Sequence, residues 1–423
     1  MAQLDDMLEN QAVTLVRVLE QIRREGPISQ VEIGQRLGLG KAAVNVHVKK
    51  LLAEQIVIPV GSQEGGMGRP RILLDLDRTG KAVMGISLDA PYLSGALMDF
   101  NNQILVTRTV DVSQVESLKE LTDALLELVS ELKRESQDRG LELFSACVSI
   151  PGVMEPGTGR IINYVNMPAA NGLHAKHVLG LLLDVPVYVL SVAAAVYWGG
   201  LEPEQATQPI FHVTWDLGVG MMFGRGYEIG FKQYKKREIM AVSGGIRDVG
   251  HTTLRPDGRL CHCGRRGCLE AYFGGYAMTQ AWNERSNKPA ISFSGLMELA
   301  RSGEPGVVEM LTRQARRLGE TLGWIFAVHQ PGYVKLSGQI PDAAPFVREA
   351  FWKGVCRRVN QTTPMNFSYL GDVRSLGLGG SCRLALHVRF NKPLLDIVSD
   401  DEVREGHFSG QSVGGSSRRQ MTF

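Results

Sequence analysis

The stretch GHTTLRPDGRLCHCGRRGCLE, residues 250–270, constrains this chain most, because three cysteines fall within eight residues beside two histidines. Cys261, Cys263 and Cys268 with His251, or with the competing His262, supply the four nitrogen and sulfur ligands that zinc takes in closed tetrahedral sites. The interleaved glycines let a backbone fold around an ion, and three thiols so close together would otherwise be open to oxidation. A full set of four leaves no position for a reactive water, so the stretch predicts a structural rather than a catalytic metal. Cys147, Cys356 and Cys382 are scattered in apolar surroundings and read as reduced thiols.

With 423 residues, 44% apolar and 21% charged, the chain has material for two or three globular domains. A formal charge of +2 excludes a protein that coats nucleic acid or membrane along its whole surface, so any basic surface must be local. The opening MAQLDDMLEN is acidic and lacks the apolar core of a secretory signal. The longest apolar run, VPVYVLSVAAAVYWGG at 185–200, contains Pro186, ends in glycines and falls short of the roughly 20 residues of a membrane span. The expectation is a soluble, cytoplasmic protein with no membrane partner.

Residues 1–78 read as a DNA-binding domain. Val13, Leu15, Val16, Val18, Leu19 and Ile22 recur at helical spacing. Ser29 caps a second helix with Glu32 as its reciprocal partner, and Gly38 and Gly40 break it. A third helix over 41–54 buries Val44, Val48, Leu51 and Leu52 and leaves Lys41, Ala42, Asn45 and Lys49 on the other side. The strand-like runs IVIPVG and RILLDLD, joined by the glycine-rich SQEGGMGRP, complete a winged helix-turn-helix. Six basic residues against two acidic ones between Arg36 and Arg71 put positive charge where phosphates would lie. Lys41, Asn45 and Lys49 on the recognition helix and Arg69 and Arg71 at the wing are the expected DNA contacts, Arg69 in a minor groove.

Beyond the wing, KAVMGISLD, YLSGALMDF and QILVTRTVDV run as strands, a helix covers 115–135, and LFSACVSIPG is a fourth strand. This is the first half of an actin-like, ribonuclease-H-like α/β body, expected at 79–208. A second half, expected at 209–395, begins at PIFHVTWDLGVGMMF and carries the cysteine cluster. The polar, Gly- and Ser-rich residues 396–423 predict a disordered tail.

SIPGVMEPGTGRIINYVNMP, the GGIRDVGH…CHCGRRGCLEAY segment and the winged helix together resemble the ROK family of repressors and sugar kinases, and within it the glucose/N-acetylglucosamine-type repressors. The resemblance covers roughly residues 10–390. It implies a sugar-kinase body, favours His251 over His262 as the fourth zinc ligand, and assigns sugar contacts to Asp248, His251 and Glu270, with Asn166 a further contact. Asp248 stands where the family has a glutamate, which retracts the carboxylate by one methylene.

The resemblance also marks what the chain lacks. Ser191 and Val192 stand where family kinases place a sugar-holding asparagine and the aspartate base, and valine cannot accept a proton. In the first phosphate loop Ser87 replaces an aspartate, and Asp89, Ala90, Pro91 and Tyr92 replace a Gly-Gly-Thr-Lys run. In the second, Trp215 and Asp216 add bulk and a carboxylate, and near the expected adenosine pocket LSGQ at 336–339 keeps only Gly338 of a double glycine. Phosphoryl transfer rests on positioning and charge neutralisation, so losing these parts together predicts no kinase activity.

The expected function is a transcriptional repressor of carbohydrate-related genes. It would bind a double-stranded operator as a homodimer or homotetramer and respond to a sugar-like effector. The alternatives are a ROK-type sugar kinase with an appended DNA-binding domain, and a regulator controlled by a partner protein without sugar.

Overall fold

The computed structural model describes residues 14–15, 18–19, 21–63, 70–155, 158–164, 166–202, 205, 208–225, 228–229, 249–286, 289–359 and 364–390. Arg69, Asp248 and the tail at 396–423 lie outside the described residues.

The winged helix forms for local reasons. Helix α1 is helical at 14–15, 18–19 and 21–25, and buries Val18, Leu19 and Ile22. Strand β1 (Ile28–Ser29) leads into α2 (Gln30–Leu37). There the Ser29 backbone N–H donates to Glu32 Oε2 at 2.9 Å, and the Glu32 N–H donates back to Ser29 Oγ at 3.3 Å. That reciprocal cap satisfies two orphan donors. Gly38, at φ +66°, ends α2, and α3 (Lys41–Ala53) follows. Val44, Val48 and Leu51 are buried under α3, which crosses the pair β2 (Val57–Gln63) and β3 (Arg71–Leu76). The three strands form an antiparallel sheet in the order β1-β3-β2.

Two five-stranded sheets make up the body. The first orders β10 (Val187–Ser191), β7 (Glu142–Ile150), β4 (Lys81–Asp89), β5 (Tyr92–Asp99) and β6 (Ile104–Asp111). The second orders β13 (Glu228–Ile229), β12 (Val219–Arg225), β11 (Pro209–Trp215), β14 (Tyr333–Ser337) and β15 (Asn366–Tyr369). In each, three strands form an antiparallel meander and two more add in parallel, giving the relative order 3-2-1-4-5 twice. The repeat fits the ribonuclease-H-like duplication expected from sequence. Parallel neighbours need helical crossovers, supplied by α4 (Leu118–Asp138) in the first lobe and by the long α10 (Pro305–His329) in the second. In α4, Leu121, Leu125, Leu128, Val129 and Leu132 are buried as one face.

The final helix α13 (Val373–Phe390) departs from the expected lobe boundary. It lies within 209–395 by sequence but packs on α6 (Val192–Gly199) and on β4, β5 and β7 of the first lobe. Small residues make this contact possible. A Cβ on Gly380 would sit 1.7 Å from the Ala195 carbonyl oxygen, and one on Gly199 would sit 1.9 Å from that of Leu376. Backbones meet there directly. One contiguous apolar cluster then includes Val18, Ile22, Val48 and Leu74 of the winged helix together with Phe100, Trp198, Cys382 and Leu386 of the body.

Candidate functional site

A cavity of about 580 Å³ opens between the lobes. At one end the 3-10 turn Val249–His251, the cysteine loop and the short α7 (Glu270–Phe273) converge. The ligand atoms of His251, Cys261, Cys263 and Cys268 all lie within 4.8 Å of one another. His251 Nδ1 is 3.5 Å from Cys261 Sγ, and the Cys263 and Cys268 sulfurs are 3.8 Å apart. Tetrahedral zinc with bonds of about 2.3 Å to sulfur and 2.0–2.1 Å to nitrogen sets edges close to those separations, so the four residues fit the ion. Burial, reinforced by the neighbouring Cys263 and Cys261 thiols, pushes the Cys268 thiol up to about 12.

His262 has another partner. Its Nε2 lies 2.7 Å from Glu270 Oε1, and its ring stacks on Tyr276 at 4.2 Å. His262, His251 and Glu270 also cluster closely enough to form a second potential ligand set. Glu270 Oε2 accepts the Val219 N–H at 2.8 Å, and a Cβ on Gly218 or Gly250 would lie 2.3 or 2.7 Å from that oxygen. The Glu270 carboxylate is therefore gripped from three elements. His251 and Glu270 line the cavity, as does Asn166 on the opposite lobe.

Two acids line the same cavity. Asp89, ending β4, and Asp216, just after β11, both line it, with Ser191, Val192 and Ala193 at the start of α6 beside them. Burial, followed by the charge of Asp89, raises Asp216 to about 8. Burial also raises Asp89 to about 6, against the opposing pull of Arg374. Asp216 Oδ2 accepts the Gln339 N–H at 3.3 Å, whereas its shielded Oδ1 has no hydrogen-bond partner among the described residues. Ser191 spends its hydroxyl on capping α6, accepting the Ala194 N–H at 3.3 Å. Ser87 is 3% exposed and bonds to Ser149 at 3.0 Å, away from the cavity lining.

At the other extremity of the molecule, Lys41 and Lys49 on α3 and Arg71 on β3 are exposed, and Asn45 is half-buried. The structure adds Val46, 60% exposed, which the sequence reading passed over. Its place four residues after Ala42 and three before Lys49 on the same helical face was the available signal.

The chain matches the ROK family over residues 83–380 and the winged helix-turn-helix DNA-binding family over residues 13–58. It belongs to the ROK family. The xylose repressor of Bacillus subtilis is 23% identical over 350 residues, covering 81% of this chain and 86% of that protein. The DNA-binding transcriptional dual regulator NagC of Escherichia coli K12 is 21% identical over 335 residues, covering 76% and 79%. Among solved structures, a ROK family transcriptional regulator described as a homolog of the E. coli MLC protein superposes with a TM-score of 0.75 at 18% identity, over 92% of this chain and 99% of that one. A ROK family glucokinase from Streptomyces griseus, in complex with glucose and AMPPNP, gives 0.59 at 21% identity, over 72% and 99%.

Proposed function

We propose that this protein is a transcriptional repressor of carbohydrate-related genes whose kinase-like body senses a small polyhydroxylated ligand and does not phosphorylate it. One observation carries the reading: the cavity that would hold a sugar and a triphosphate has valine at the base position and two raised carboxylates in its lining. A phosphate chain entering there would meet two carboxyl groups, and Val192 at the start of α6 could not take a hydroxyl proton. The relatives named as repressors support the same reading.

In this reading His251, Cys261, Cys263 and Cys268 hold one zinc ion, which supplies structural bracing of the loop. Gripped Glu270, with His251, Asn166 and Asp248, contacts the ligand. Lys41, Asn45, Lys49, Arg69 and Arg71 contact DNA, and Ala42 and Val46 offer methyl groups suited to thymine. Paired recognition helices in a homodimer or homotetramer would meet successive major grooves about 34–36 Å apart.

The test is to recover genomic fragments retained by the full chain, then challenge the complexes with a panel of pentoses, hexoses and amino sugars, with and without ATP. Release of the DNA by one sugar, without ADP formation, is expected. Sugar-dependent ATP turnover above background would sink the non-enzymatic reading. Release by a partner protein alone would replace the sugar effector with protein control.

A further inference from the structure

One side chain sits at the joint between the DNA-reading head and the body. Arg78 lies in the four-residue link between β3 and β4. Its Nη2 donates to Asp75 Oδ1 at 3.1 Å and to the Arg23 carbonyl of α1 at 3.5 Å, while Nη1 donates to Asn101 Oδ1 at 3.1 Å. One planar guanidinium thus ties the wing strand, the first helix and the β5–β6 turn of the body. Beside it, buried Lys81 donates to the Gln55 carbonyl at 3.0 Å and pairs with Asp77, closing the same joint from the base of β4.

The body side of this joint leads back to the cavity through packed elements. Asn101 follows β5, and β5 meets α13 where Cys382 Sγ approaches the Ala96 carbonyl at 3.8 Å. Helix α13 is locked backbone to backbone on α6 through Gly380 and Gly199, and Arg383 of α13 donates to the carbonyls of Trp198, Gly199 and Leu201 at the end of α6. The start of α6, at Val192 and Ala193, is cavity wall, as is Val373 at the start of α13. Close-packed helices of this kind move as units.

We propose that Arg78 is the positioning residue that sets the tilt of the winged helix according to the state of the interlobe cavity. The proposal rests on the reading of the chain as a DNA-binding regulator. Coupling of this sort exists only as a free energy shared by two sites, typically a 5- to 150-fold effect of one on the affinity of the other, so a thermodynamic cycle tests it directly.

Ala193→Phe, filling the cavity from the wall of α6, stands in for an occupant. The probe is a duplex selected from random-sequence DNA by the full wild-type chain, and the readout is Kd by fluorescence anisotropy. Ala193→Phe is expected to change Kd by about tenfold in the wild-type background and by less than about twofold with Arg78→Ala. Arg78→Lys should recover part of the effect. Asn101→Ala, which cuts only the body half of the grip at an exposed turn, should lose it as Arg78→Ala does and guards against misfolding as the cause. Equal effects of Ala193→Phe in all backgrounds, or no effect in the wild type, would overturn the role of Arg78 while leaving DNA binding intact. Failure to select any duplex would instead defeat the regulator reading, and the inference with it.

Discussion

The cysteine-bearing and the acid-bearing parts of the interlobe cavity solve the burial of polar groups in opposite ways. At the cysteine end, Glu270 is held by a backbone N–H, an imidazole and two glycine walls, and four ligand atoms converge at metal-binding separations. At the acid end, Asp216 leaves an oxygen without a partner among the described residues, and burial raises both carboxyls. A buried polar group is cheap when satisfied and costly when not. The contrast separates polar groups that the fold satisfies from polar groups that it leaves at a cost.

The contrast can be broken most severely at the cysteine end. Cys268→Ser should cost roughly 4–5 kcal/mol or more, since loss of a structural metal belongs with the largest single-residue effects. Metal analysis should fall from one zinc per chain, and thermal unfolding should drop sharply in the wild type on chelation but little in the variant.

The acid end should respond in the opposite direction. A carboxyl raised in the folded chain holds its proton more tightly there than in the unfolded chain. Its stabilising contribution is complete below about pH 4 and is lost as pH rises through about 6 for Asp89 and about 8 for Asp216. The slope is at most about 1.4 kcal/mol per pH unit for each group. Asp216→Asn should therefore stabilise the protein at pH 8 and flatten the decline between pH 6 and 8, as read by urea midpoints. An unchanged slope would show that Asp216 is ionised at neutral pH in the folded chain.

Glu270→Gln should have the smallest effect, about 1.5–3 kcal/mol, because the Val219 N–H keeps an oxygen acceptor and only the charge facing His262 is lost. Zinc content should stay unchanged. A loss of metal in this variant would mean that the two halves of the cysteine end are one unit.

Features set by nearby residues were legible from the sequence. The Ser29–Glu32 cap, the burial of Val44, Val48 and Leu51, and four of the five strands of the first sheet follow from local periodicity and capping chemistry, whereas β10 was read only as part of an apolar run. The cysteine cluster was legible because its three thiols fall within eight residues, and the resemblance to the ROK family favoured His251 as their fourth partner. The pairing of His262 with Glu270 was not, since spacing alone made His262 a rival zinc ligand. Asp89 and Asp216 are brought to one cavity only when two lobes close, and each read separately as a damaged phosphate loop. The return of α13 to the first lobe depended on glycines whose purpose is visible only where backbones cross. Asp248 and Arg69, both expected at sites, lie outside the described residues.

That return has a consequence for how the protein is made. The apolar cluster that contains the DNA-reading helices also contains Leu378, Cys382, Leu384, Ala385 and Leu386. These partners are more than 300 residues apart in the chain, and at about 5–20 residues per second a ribosome needs many seconds to deliver the second set after the first. The apolar cluster that begins under the winged helix therefore reaches its full extent only after the last helix of the body has been made.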